Sequence, residues 1–405
     1  MAAPTPLAGS STSTRPATTT QSWRDWQGPL LLALATVVAL RLLLSGWAAL
    51  VLAFMPTVDL QALYAHVGFL PQTSGWIAPW EREDALWYEK IATVGYAPND
   101  GTTGYFPLLP LVIRVVSVVT LGNVPLAGIL VGSLSSVAAL ALLYRLVATE
   151  TDPATAGRTV AYLALFPTAF FLYSAFTESL FLALTLGAFW CARQGKWPLV
   201  ALLAFLTGLT KVQGAFIGLP LAAEYLARAN WQPAVVRQRA AEFAAVVLAG
   251  GLGTLVFFAY LRFVVQDPLT WTTRQMLMLQ HRATWPGETL WVAVQTVLQE
   301  RSLSINWFDL AVLLLFTGLT LAAFRLRLSY GLQAATILLP SWFHVNVKFP
   351  VMSVSRFVLV AFPCFLVLAI WAGRKPRIVH LIIIALWISW LLVWTSQAVR
   401  GFWVG

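Results

Sequence analysis

Charge is scarce in this chain: of 405 residues, 59% are apolar and 10% are charged. The few ionisable residues inside apolar surroundings are therefore the first candidates for chemistry. Asp84 lies in an acidic, aromatic stretch broken by Gly and Pro, EDALWYEKIATVGYAPNDGTTGYFPLLP, with Glu83 directly before it. Glu178 interrupts FPTAFFLYSAFTESLF, and Lys211 and Gln213 interrupt GLTKVQG. His344, Lys348 and Arg356 fall within SWFHVNVKFPVMSVSRF. A charged side chain at the bilayer centre costs about 2.5–3.5 kcal/mol or more, so each of these belongs at a water boundary or in a wet cavity. Asp84 is the candidate catalytic carboxylate. Arg and Lys together form a natural grip for a phosphate, through paired N–H donors and a mobile point charge respectively.

Each candidate also has a plainer explanation. Glu81, Glu83 and Asp84 fit first-turn acids that complement a helix dipole. Glu178 fits a helix-start acid beside a capping Thr177 or Ser179. Lys348 and Arg356 fit cations that reach back to lipid headgroups. His281 reads as a solvated histidine. Most of the 19 tryptophans fit an interfacial belt, with Trp80, Trp87 and Trp271 placed in or beside outer loops.

The elements that must hold these residues are membrane-spanning helices. Apolar runs recur from Gly28 to the C-terminus, and about 20 residues of helix cross the hydrocarbon. Backbone groups in lipid must pair within the protein, so the expected fold is an all-α polytopic bundle. Residues 1–27 read as a disordered cytoplasmic tail carrying Arg15 and Arg24, and 28–405 as a single transmembrane domain. The alternation of basic loops gives about eleven crossings with the N-terminus inside. Region 55–123 is then the first outer loop, containing an interfacial helix near 82–94 and a re-entrant segment, Phe106–Leu121; 265–305 is the second. Within the interfacial helix Asp84, Trp87, Tyr88 and Ile91 recur at i, i+3, i+4 and i+7, one face of a helix. Asp84, Glu178, Lys211, Gln213, His344, Lys348 and Arg356 all fall toward the outer side. The net charge of +10 is scattered over loops with no basic stripe, which argues against nucleic acid. The two cysteines suggest neither a metal cluster nor a disulfide framework. There is no P-loop and no HExxH motif.

Several segments in order resemble the PIG-V-like family, the second mannosyltransferase of GPI-anchor biosynthesis and its prokaryotic relatives, within the GT-C glycosyltransferases. They are DALWYEKIATVGY, YFPLLPLVIR, LALFPTAFFLYSAFTESLF, LTGLTKVQGAFIGLPLAAEYL, DPLTW and SVSRFVLVAFPCFLVLA. The resemblance spans about Asp84 to Ala369. It implies a GT-C-like bundle and an inverting enzyme that uses a polyprenyl-phosphate sugar, typically dolichyl phosphate mannose. The implied partners are that donor, a lipid-linked or glycan acceptor and membrane lipids. The implied site is the extracytoplasmic face, either the outer face of a plasma membrane or the ER lumen of a eukaryote. Asp84 matches the Asp of the family's Trp-Asp pair, Glu178 its TES acid, and Arg356 its Arg near the last helices. Glu83 stands where the family has Trp, and Lys211 where it has Arg. On this reading Asp84 is the general base and Arg356, Lys348, Lys211 and His344 hold the donor phosphate. Glu178, Glu83, Trp87, Tyr88 and Gln213 contact substrate, with Glu178 orienting the acceptor. No metal is required, although Glu83 and Asp84 have the chemistry to hold a divalent ion. The readings from other classes are a transporter of lipid-linked saccharides, for which no internal repeat is visible, and a non-catalytic binding subunit.

Overall fold

The computed structural model describes residues 24–267, 281–300, 304–346 and 348–404. The tail through residue 23, and 268–280 (with Trp271) and 301–303 of the expected second outer loop, lie outside them. In chain order the helices are α1 (Arg24–Phe54), α2 (Leu60–Tyr64), α3 (Asp84–Val94), α4 (Leu108–Ser117), α5 (Val124–Glu150) and α6 (Pro153–Ala164). Then come α7 (Thr177–Gln194), α8 (Trp197–Gly208), α9 (Gly218–Arg228), α10 (Pro233–Gln238) and α11 (Ala240–Tyr260). The last are α12 (Pro286–Gln299), α13 (Ile305–Leu326), α14 (Leu328–Phe343), α15 (Val354–Phe357), α16 (Phe362–Gly373) and α17 (Arg377–Val399). Two short strands, β1 (His281–Ala283) and β2 (His344–Asn346), pair antiparallel with Arg282 opposite Val345.

The chain is a multi-pass helical membrane protein. Among the described residues five helices are long and apolar enough to cross a membrane: α1, α5, α11 with its continuation to Val265, α13 and α17. A sixth results if Val354–Val360 and Phe362–Gly373, bent by 81°, form one broken span. The other expected crossings fall on shorter or interrupted helices, and the interruptions have local causes. α6 stops at Ala164, just before Phe166-Pro167, because proline disfavours helix at the residue preceding it. The chain continues as a 3₁₀ turn, Ala169–Tyr173, and an extended Ser174 before α7 starts. α8 likewise ends at Gly208, and Lys211 is extended before a 3₁₀ turn, Val212–Phe216. Such non-helical backbone is tolerated at membrane depth where protein covers it. α1 begins at Arg24, so 24–27, expected in the tail, is helical.

Small residues let these broken pieces pack closely. A Cβ on Gly132 of α5 would stand 2.3 Å from the Ser174 carbonyl oxygen, and one on Gly208 of α8 only 2.0 Å from that of Gly250 in α11. Close backbone approach at glycine is the usual basis of helix association in lipid.

Region 55–123, expected to form the first outer loop, is more enclosed than a helix lying on a bilayer requires. α3 buries Ala85, Leu86, Trp87, Tyr88, Glu89, Ile91 and Ala92, more than the single face of a helix lying on a bilayer. The loop before it folds back as a cover. Glu81 accepts backbone hydrogens from Gln72 (2.8 Å) and Thr73 (2.9 Å), and Arg82 Nη1 donates to the Ala78 carbonyl at 2.7 Å. On the other side Lys90 pairs with Asp100 at 3.0 Å.

Candidate active site

Four helix ends bring the principal charges together. Glu178 occupies the first turn of α7, where the helix dipole favours an acid. Lys211 Nζ donates to its Oε1 at 2.9 Å, and Arg356 Nε donates to the same oxygen at 2.8 Å. Arg356 Nη1 also pairs with Asp84 Oδ2, the first residue of α3, at 2.7 Å. The other Asp84 oxygen accepts the Tyr105 hydroxyl at 3.1 Å. Two carboxylates and two cations thus balance, linked through one guanidinium. Aromatic faces enclose the cations: Arg356 lies 5.0 Å from the Phe176 ring and 5.2 Å from Phe171, and Lys211 Nζ lies 4.9 Å from Phe357. These cation–π contacts strengthen as water is excluded.

The ion network forms the floor of a cavity of about 550 Å³. Asp84, Glu83, Trp87 and Tyr88 line it from α3 and its approach, Lys211 and Gln213 from the α8–α9 junction, and Arg356 and His344 from the segment after α14. Trp87 stacks on Tyr105, ring centroids 5.4 Å apart, and Tyr88 meets Tyr105 edge-on at 5.2 Å. Beyond these groups the lining is largely apolar, with Leu63, Val67, Phe106 and Phe357.

Two expected site residues sit elsewhere. Glu178 was expected to orient an acceptor, but it is 0% exposed and does not line the cavity. It anchors Lys211 and Arg356 from behind, so its reach to substrate runs through them. Lys348 is exposed, is absent from the cavity wall, and lays its Nζ 5.2 Å from the Phe349 ring. Its neighbour Phe349 donates its backbone N–H to Asn346 at 2.8 Å, a turn that carries Lys348 outward. Tyr105, by contrast, enters the sequence pattern only as the first residue of YFPLLP. The one signal for it was a Tyr placed between two turn-forming glycines and a proline.

Glu83 is held in unusual backbone. Its φ of 52° and ψ of −127° lie in a region that suits glycine and strains other residues by about 1–3 kcal/mol. The Tyr64 hydroxyl accepts its N–H at 3.1 Å. Burial, then the Asp84 charge, push the Glu83 carboxyl up to about 8, with Arg356 working in the opposite direction. The fold therefore favours its neutral form near pH 7, which leaves the balance of charges intact. Since the folded value lies above the ordinary 4.5, this contribution to stability is whole below about 4.5 and is lost as pH rises through about 8. Glu83→Gln is expected to flatten the fall in thermal stability between about pH 5 and about pH 9 relative to the parent protein. Unfolding followed across that range in detergent checks it; parallel curves for the two proteins would refute it.

Among the described residues no group of three or more His, Cys, Asp or Glu converges, so Glu83 and Asp84 have no third partner of those types for a divalent ion.

No protein-family model and no curated protein sequence matches the chain. Two solved structures of an Archaeoglobus fulgidus oligosaccharyltransferase are similar in shape at 12% identity. One is the apo form, aligned over 95% of this chain and 57% of the other with a TM-score of 0.43. The second is tethered to an acceptor peptide containing the NVT sequon, aligned over 95% of this chain and 56% of the other with a TM-score of 0.44. The chain spans a little over half the length of those structures. The functional reading rests on the chemistry of the site itself.

Proposed function

We infer that the protein is an inverting glycosyltransferase that moves a sugar from a polyprenyl-phosphate donor to a lipid-linked or glycan hydroxyl on the extracytoplasmic face. Mannose is the sugar favoured by the sequence resemblance. The observation that carries the reading is the Asp84–Arg356 pair at 2.7 Å in the wall of a largely apolar cavity. A base and a phosphate-binding cation stand side by side there, next to surface suited to an isoprenoid chain.

The reaction follows from that pairing. Asp84 takes the proton of the acceptor hydroxyl as its oxygen attacks the anomeric carbon. The carbon–oxygen bond to phosphate breaks, and its electron pair leaves with the phosphate. Arg356 and Lys211 offset the charge that grows there. Glu178 holds both cations at that position. Since the resting network is neutral, an incoming phosphate must take donors that Asp84 now occupies on Arg356. Donor binding thereby releases the carboxylate toward the acceptor. Trp87 and Gln213 offer a stacking face and an amide for the sugar and its hydroxyls, and His344 lies at the wall as a further donor to phosphate.

The test is incubation of purified protein with polyprenyl-phosphate mannose and candidate lipid acceptors. The expected result is release of polyprenyl phosphate that depends on acceptor. Tight binding of the donor with no release under any acceptor would favour a non-catalytic subunit and remove the enzyme reading.

A further inference from the structure

Arg356 is aimed by a turn that other elements hold. Ser353 is left-handed, with φ 64° and ψ 11°, and swings the chain into the single turn of α15. Arg356 donates its N–H to the Ser353 carbonyl at 3.1 Å. The peptide groups of Ser355, immediately before it, are gripped from two sides. Asp309 Oδ1 on α13 accepts the Ser355 N–H at 3.1 Å, and the Thr168 hydroxyl donates to the Ser355 carbonyl at 2.7 Å. Three residues before Asp309, on the same helix face, Asn306 Nδ2 donates to the Lys348 carbonyl at 3.2 Å. α13 therefore fastens the loop near both ends.

Asp309 has no simpler role in view. It is 2% exposed inside the run INWFDLAVLLLF, where a carboxylate is costly. The cap of α13 is supplied by Ser304, whose hydroxyl accepts the Asn306 N–H at 3.2 Å. We propose that Asp309 is a positioning residue for Arg356: by fixing the Ser355 peptide from α13, with Thr168 opposing it, it aims the guanidinium at Asp84, Glu178 and the cavity. The consequence for the donor phosphate rests on the functional reading above; the placement of Arg356 does not.

The experiment reads the two parts separately, in the full chain in lipid nanodiscs. Asp309→Asn keeps an acceptor oxygen for the Ser355 N–H, Asp309→Leu removes it, and Thr168→Val removes the opposing bond. The first readout is phenylglyoxal modification of Arg356, followed by peptide mass spectrometry with Arg400 as internal reference. Asp309→Leu and Thr168→Val should speed modification of Arg356 roughly tenfold, while Asp309→Asn stays within about twofold of the parent. Unchanged modification in Asp309→Leu, or failure of Asn to restore the parent rate, overturns the proposal. If Asp309→Leu does not fold, unchanged modification in Thr168→Val does so. The second readout is steady-state transfer from polyprenyl-phosphate mannose. The KM for donor should rise in the variants that speed modification, with the KM for acceptor unchanged. Faster modification with an unaltered donor KM would show that Asp309 does not serve the reaction. Faster modification with no transfer by the parent protein would end the glycosyltransferase reading and leave the placement of Arg356 by Asp309 standing.

Discussion

Asp84→Asn will reduce sugar transfer by about 10²–10⁴-fold while leaving donor binding intact or tighter. Asparagine has nearly the shape of aspartate, and its amide oxygen still accepts either the Tyr105 hydroxyl or Arg356 Nη1, the two donors now spread over the carboxylate. What it lacks is the capacity to take a proton from an attacking hydroxyl. It also lacks the charge that now competes for Arg356, so a phosphate meets a less neutralised guanidinium. Binding and turnover should therefore move in opposite directions, which separates loss of a base from collapse of the pocket. Arg356 keeps Glu178 at 2.8 Å and the Asp84 side chain is 21% exposed, so loss of this pair should destabilise the fold less than loss of the fully buried Glu178. Transfer rates measured beside equilibrium binding of radiolabelled polyprenyl phosphate check both halves. Transfer above a tenth of the parent rate would exclude Asp84 as the base.

How much of this site was legible beforehand depends on what a charge in an apolar chain reveals. Asp84, Glu178, Lys211 and Arg356 all stood out for one reason: an ion among apolar residues must find water or a counter-charge. That argument marks positions and leaves partners open. Arg356 and Glu178 meet across 178 positions of sequence, and only the packing of α7 against the bent segment 354–373 brings them together. The same rule could not tell depth. Glu178 at the start of a helix reads alike whether it touches substrate or sits sealed behind two cations. Lys348 reads like Lys211, yet it projects outward because the Asn346 turn carries it there. Asp309 bears the same signal as Glu178, a lone carboxylate in an apolar run, but lies beyond the first turn of its helix and in no motif that singles it out.

Helix form was similarly half legible. Hydrophobicity locates the apolar segments but not where helices break: Pro167 marks one break in the sequence itself, whereas no proline marks the one at Lys211. The one-faced pattern read for α3 counted its apolar positions. It leaves out Glu89, a charged residue on another face that is buried to 1% exposure.

Removal of the Glu178 charge should be the most damaging single change to the fold. Glu178→Ala leaves Arg356 with Asp84 but takes from Lys211 its carboxylate partner, leaving it the faces of Phe357 at 4.9 Å and Phe181 at 6.0 Å. Both cations are buried, at 6% and 9% exposure. Breaking a buried pair by deleting one partner costs about 3–5 kcal/mol, because the other charge is stranded without water. Glu178→Gln should cost less than Glu178→Ala, since its amide oxygen can still accept from one of the two donors. Lys211→Met combined with Glu178→Gln should recover part of the loss, as the stranded charge is then gone and Arg356 keeps Asp84. That recovery is the decisive feature: packing defects at two neighbouring positions would add, whereas a charge and its counter-charge offset each other. Equilibrium unfolding of the two single variants and the double in detergent measures the coupling. If the double is no more stable than the sum of the single losses allows, the Glu178–Lys211 contact is incidental and the cations owe their place to the aromatic walls.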